Sequence, residues 1–252
     1  MAVFVRFSSL LTMSVFCCSM AFSQTQQPVY TRHVCVKVKD GKRAEFAAYL
    51  PERLKEAKVR VDSGALKSYA VAESVSPRGS SSRCDYHFFY AYDGFPPELG
   101  LGQASPANIA GDRLYSAESM DIWRREDGTN PVGAKGQYHR LNFTKVNAGK
   151  VGEWLRLQST GWKPMAEIAA KQLGTGWVAG TLVMPGGSAL PYNAMTVDIF
   201  PNWAAVGKGI PSRTFWNQVH PRSDLTAYFD DVAAIAVKTE VHLVKIVDRI
   251  SK

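Results

Sequence analysis

One unit of sequence occurs twice in this chain, offset by 108 positions and without a gap. Gly41, Lys42 and Glu45 in the first copy become Gly149, Lys150 and Glu153 in the second. Upstream, Tyr30 and Arg32 match Tyr138 and Arg140, and Lys37-Val38 matches Lys145-Val146. Downstream, Tyr69 matches Trp177, Pro77, Gly79 and Ser80 match Pro185, Gly187 and Ser188, and Phe95 matches Trp203. A register held over that distance means two similar domains, and two similar domains in one chain are expected to associate as a pseudo-dimer.

Within each copy the hydrophobic period changes several times. Residues 32–39 alternate and are rich in Val, which predicts a strand. Asp40-Gly41 turns the chain, and residues 42–61 carry Phe46, Tyr49, Leu50, Leu54 and Ala57 on one helical face. Pro51 predicts a kink or break in that helix. Strands follow at 66–75 and 84–92, joined by a polar turn at 77–82, then a short irregular or helical segment, then a strand at 119–125. In the second copy the strands fall at 138–146, 176–184, 192–200 and 240–247, with a helix at 150–173. A longer helical stretch at 212–237, broken near Pro221, precedes the last strand. The Gly- and Pro-rich residues 127–137 read as the linker, between a first repeat at 28–126 and a second at 138–252.

Strand–helix–strand–strand–helix–strand is the ferredoxin-like order, an antiparallel sheet with helices on one face. The other face of each sheet also needs cover, and packing sheet to sheet supplies it. The expected class is therefore α+β: two ferredoxin-like repeats forming a pseudo-dimeric α+β barrel. The repeat, the Gly41/Gly149 turn into the first helix and the aromatic third strand ending at Tyr92/Phe200 together resemble the dimeric α+β barrel superfamily, fused in tandem. NIPSNAP-like and EthD-like proteins, cofactor-free monooxygenases and haem-binding chlorite dismutases share that architecture. The resemblance implies the fold, and no catalytic residue transfers with it. The function expected is binding of a small molecule, with a cofactor-free oxygenase- or isomerase-like activity as its enzymatic form; a haem-binding protein and a non-catalytic structural or stress-related envelope protein are the alternatives.

Residues 1–6 carry one basic side chain, residues 10–22 are uncharged and apolar, and Ala21-Phe22-Ser23 has the small residues of a cleavage site. This predicts a signal peptide over 1–23 and a protein that is exported, periplasmic or secreted, with no membrane association after cleavage. About 229 residues follow, room for two modest domains. Only Cys35 and Cys84 remain after it, either as one disulfide or as two buried thiols. The net charge of +8 is scattered among acids, in pairs such as Lys42-Arg43 and Arg124-Arg125. Nucleic-acid binding needs a concentrated basic stripe, so that partner class is not expected.

Alternation also sorts side chains into faces. Leu141, Phe143, Met195, Val197 and Ile199 form an apolar set suited to lie under helices. Arg140, Asn142, Thr144, Thr196 and Asp198 form the opposite set, with Arg32, Tyr86, Phe88, Tyr90 and Tyr92 corresponding in the first copy. Placing that set between the sheets gives a polar cavity bordered by Arg32, Tyr86, Tyr90, Arg140, Asn142 and Asp198, fit for a small aromatic or amphipathic molecule. An Arg140–Asp198 pair holding the sheets in register is the competing reading. His33 and His87 match Leu141 and Met195, and read as core histidines on the helix-packed face. No cofactor is expected on residue pattern alone; haem enters through the resemblance, with His220 as the nearest ligand candidate. Metal-ligand spacings and a Gly-x-Ser-x-Gly elbow are both absent from the sequence.

Overall fold

A computed structural model describes residues 27–77, 82–97, 111–129, 137–187 and 189–252. The predicted signal peptide, Gly79, Ser80 and Ser188 of the turns, and most of the linker lie outside the described residues. The first repeat comprises β1 (Val29–Val38), α1 (Arg43–Asp62), β2 (Ser68–Ser76), β3 (Tyr86–Asp93) and β4 (Tyr115–Gly128). The second comprises β5 (Tyr138–Val146), α2 (Val151–Leu157), a π-helical turn (Gln158–Trp162), α3 (Lys163–Leu173), β6 (Gly176–Met184) and β7 (Ala194–Phe200). It ends with α4 (Trp203–Lys208), α5 (Ser212–Val219), α6 (Leu225–Ile235) and β8 (Ala236–Ser251). Among the described residues no helix is long and apolar enough to cross a membrane.

The strands close into one antiparallel barrel in the order β1-β3-β2-β8-β5-β7-β6-β4. Each repeat contributes four strands. Two seams join them: β2 to β8, where Tyr69 faces Ile250, and β4 to β6, where Arg124 faces Thr181. Every strand edge is thereby paired, which removes the open edges a lone ferredoxin-like sheet would expose.

Helices cover the barrel from outside. In the first repeat Phe46, Tyr49, Ala57 and Val61 of α1 pack on Val34, Val36, Val71, Phe88 and Tyr90. In the second, Trp154, Leu157, Ala166, Trp216 and Tyr228 pack on Val146, Trp177, Ala179 and Ala194. A third cluster fills the inside of the barrel: Ala72, Trp123, Leu141, Phe143, Tyr192, Met195, Val244 and Ile246.

The helices depart from expectation at their prolines. α1 continues through Pro51 without a break. Ala47, whose carbonyl loses its partner there, and Pro51 are both exposed, so the unpaired carbonyl is open to solvent. The expected single helix over 150–173 instead widens into the π turn just before Pro164, where the Lys163 amide reaches back five residues to Gln158. Gly161 sits in that turn because a Cβ there would lie 2.5 Å from the Tyr228 ring. The 212–237 stretch does break, at residues 220–224; Asp224 caps α6 through the Thr226 amide. Gly41 and Gly149 both have φ near +75° (74° and 75°), the same left-handed turn in each copy.

Cys35 and Cys84 form a disulfide with their Cα atoms 5.3 Å apart. Their counterparts in the second repeat, Phe143 and Tyr192, touch as an aromatic pair with ring centroids at 4.8 Å. A covalent contact in one half thus occupies the place of an apolar contact in the other.

Candidate active site inside the barrel

The faces of the sheets are the reverse of the expectation. Arg32, Tyr86 and Tyr90 lie on the α1 side: the Arg32 guanidinium sits 4.3 Å above the Tyr90 ring, Tyr86 packs at 4.8 Å from Phe46, and Arg53 donates to the Tyr90 hydroxyl at 2.9 Å. Arg140, Asn142 and Asp198 lie on the helix side of the second sheet. Asp198 Oδ2 accepts from Arg140 Nε at 3.0 Å and from Asn142 Nδ2 at 2.9 Å. These two groups are on the outside of the barrel wall, under different helices, and do not border a common cavity. The Arg140–Asp198 pair joins neighbouring strands of one sheet, not the two sheets. Alternation identified which residues share a face; it carried no information on which face turns inward.

The residues that do face inward include His33, His87, His242, Asp121 and Tyr192. β1 and β3 place His33 beside Phe89 and Cys35 beside His87, while β4 brings Asp121 opposite His33. His33, His87 and Asp121 are each 2 % exposed or less. The rings stack: His33 is 4.9 Å from Phe89 and 5.2 Å from His87. Tyr192 donates its hydroxyl proton to Asp121 Oδ2 at 2.9 Å. Burial, first, and the Asp121 carboxylate raise the Tyr192 phenol to about 12, so it remains a donor.

The tautomers of this chain of groups follow from one carbonyl. Ser74 Oγ lies 2.6 Å from the Cys84 carbonyl oxygen, which can only accept, so the single hydroxyl proton of Ser74 points there. Ser74 must then accept from His87 Nε2 at 3.1 Å. His87 is neutral, its pKa pushed well below the usual histidine range by burial and by His33, His242 and Arg83. Its Nδ1 therefore accepts from His33 Nε2 at 2.9 Å. His33 thereby turns Nδ1 toward Asp121; this nitrogen has no hydrogen-bond partner and lies 3.8 Å from Asp121 Oδ2. An imidazole nitrogen oriented on a buried carboxylate can exchange a proton there, because the carboxylate stabilises the imidazolium where it stands.

Arg83 and Glu240 lie on the solvent side of this network, 3.9 Å apart, with side chains 41 % and 31 % exposed. Reading the sequence for polar constellations missed these residues because they are spread over β1, β3, β4 and β8. One signal was present: His33 and His87 stand where the second repeat has Leu141 and Met195, the substitution of a titratable for an apolar residue at equivalent interior positions.

His220 caps α5 in the helix layer, outside the barrel. Its Nε2 donates to the Gly161 carbonyl at 2.9 Å, and its ring lies 4.3 Å from Trp216, which in turn packs on Tyr228 at 4.8 Å. A haem iron requires a free imidazole nitrogen beside a planar slot. Here the Trp216 and Tyr228 rings are packed around His220 where a haem would need its slot, so His220 does not fit that role.

The sequence matches no family model and no curated relative. Solved structures do match. A candidate monooxygenase of Fusobacterium nucleatum subsp. nucleatum superposes with a TM-score of 0.60 at 10 % identity, over 90 % of this chain and 96 % of that one. An anthrone oxidase-like protein gives 0.56 at 12 % identity, over 90 % and 94 %. A heme-binding protein from Thermus thermophilus gives 0.51 at 14 % identity, over 87 % and 91 %. At such identities the likeness is one of fold: a dimeric α+β barrel, with both halves in a single chain.

Proposed function

We propose that this chain is an exported, cofactor-independent enzyme acting on a small aromatic molecule with an acidic C–H or O–H, and that His33 is its proton acceptor. The observation carrying the reading is the unpartnered His33 Nδ1, buried and 3.8 Å from Asp121. On taking a proton from the substrate, His33 becomes an imidazolium beside the Asp121 carboxylate; Tyr192 and the hydrogen bond to His87 hold the two groups in place. Phe89, Phe143 and Trp123 supply apolar walls against which an aromatic ring would stack. Access is at the Arg83–Glu240 end, where the pair must part. Export rests on the N-terminal leader, and the Cys35–Cys84 disulfide supports it, since such bonds persist in oxidising compartments.

The neighbours described as monooxygenase and anthrone oxidase-like suggest the first substrate to try. Anthrone loses a methylene proton to His33, the resulting anion reduces dioxygen, and anthraquinone and water are the balanced products. An isomerase-type version returns the proton to another carbon and takes up no oxygen. Oxygen uptake and anthraquinone absorbance distinguish the two. Wild type should exceed buffer, and His33→Gln should lose about a hundredfold or more, with Asp121→Asn also impaired. Turnover of anthrone and related phenols that is unaffected by His33→Gln would refute the assignment.

A further inference from the structure

Cys84, His87 and His242 approach from the segment before β3, from β3 itself and from β8. One potential ligand atom of each lies within 4.8 Å of the others. All three residues are buried, at 2 %, 0 % and 7 % exposure. His242 is already oriented as a ligand. Its Nε2 faces Glu240 Oε2 at 3.2 Å, and a carboxylate can only accept, so the proton is on Nε2. Its buried Nδ1 has no partner. A carboxylate holding the far nitrogen of an imidazole is the arrangement that orients histidines on metals.

In the oxidised chain the Cys84 sulfur is bonded to Cys35 and cannot act as a thiolate. We propose that reduction of the Cys35–Cys84 disulfide turns this spot into a soft-metal site, in which the Cys84 thiolate, His87 and His242 bind Zn²⁺ and water completes the coordination. A phosphine reductant with one water supplies two electrons and two protons. The disulfide becomes two thiols, the phosphine becomes its oxide, and the Cys84 thiol proton leaves as the metal binds. Zn–N and Zn–S bonds of about 2.0–2.3 Å set tetrahedral ligand atoms roughly 3.4–3.8 Å apart. The three groups thus need to close by about 1 Å. His87 presents Nε2 if its proton shifts to Nδ1, which then donates to His33 Nε2, while the His33 proton moves to Nδ1 facing Asp121. The result is a carboxylate–histidine–histidine–metal relay built from groups already in line.

Two variants separate the metal site from the mere loss of the crosslink. Cys35→Ser and Cys84→Ser both abolish the disulfide, but only the first keeps the Cys84 ligand. Zn²⁺ binding is measured by competition with Co²⁺, whose thiolate charge-transfer band reports sulfur ligation. Cys35→Ser should bind one equivalent without reductant, and Cys84→Ser should bind more than about a hundredfold more weakly. Adding His242→Ala to Cys35→Ser should remove the band. Wild type should bind after treatment with a phosphine reductant and not before, which tests the proposal even where a variant fails to fold. Equal uptake by the two serine variants, or by reduced and oxidised wild type, would overturn it.

Discussion

Acidification from pH 7 to pH 5 should weaken the barrel by about 2 kcal/mol through His139 alone. His139 faces inward from β5, half-buried, and its Nε2 is sealed without a partner. Burial, and then repulsion from Arg249, lower its pKa to about 4, against 6.5 in the unfolded chain. Between those values the unfolded state takes up a proton that the folded state refuses. Stability is therefore full above about pH 6.5, falls by ~1.4 kcal/mol per unit below it, and levels off below about pH 4. At pH 5, some 1.5 units into that window, the loss comes to about 2 kcal/mol, or roughly 4–8 °C in Tm for a chain of this size. Carboxylates confuse the comparison little at pH 5. Glu240, hydrogen-bonded to His242, and Glu153, bonded to Lys150, are held below the usual carboxylate range. Thermal or urea denaturation of wild type and His139→Gln at the two pH values provides the test. The variant's drop should be smaller by about 2 kcal/mol; identical drops would mean that His139 is protonated alike in both states and that the reasoning is wrong.

Reducing the disulfide in metal-free buffer should cost about 4 kcal/mol of stability, the chain-entropy value for a link spanning 49 residues; denaturant midpoints with and without reductant measure it. Gly161→Ala drives a Cβ to 2.5 Å from the Tyr228 ring and should destabilise by about 1–3 kcal/mol. Its signature would be a loosened helix layer, seen as faster amide exchange in the π turn and at His220. Asp198→Ala removes the shortest partner of Asn142 Nδ2, which keeps longer contacts to Thr196 Oγ1 at 3.3 Å and to the Arg140 and Thr196 carbonyls, while Arg140, 43 % exposed, can turn to water, so a loss of about 1 kcal/mol is expected. Because Asp198 lies outside the barrel wall, ligand binding at the interior site should be unchanged in titrations under native conditions.

The repeat made most of the fold legible. Once each copy reads as strand–helix–strand–strand–helix–strand, two unpaired sheet edges per copy demand partners, and the seams between β2 and β8 and between β4 and β6 supply them. β5 and β6 begin and end where their alternation does. What alternation could not convey was direction. Val34 and His33 sit on opposite faces of any regular strand, but both faces of this sheet are dry, one under α1 and one inside the barrel. Polarity was therefore a poor guide to the interior. In the second repeat it pointed the wrong way, since Arg140 and Lys238 stay partly solvated at the edge of the helix cover. The histidine network was illegible for another reason: His33, Asp121 and His242 are neighbours only after the barrel closes.

Closure within one chain has a consequence for how such a site can arise. A barrel made of two identical subunits must carry every interior residue twice, so a lone base with a lone counter-charge is forbidden by symmetry. Covalent joining lifts that restriction. Leu141 can stand opposite His33, and Phe143 with Tyr192 can stand where the other half has its sulfur bridge. Each half is then free to contribute different groups: His33, His87 and Asp121 come from the first, Tyr192 and His242 from the second. The proposed site then occurs once per barrel.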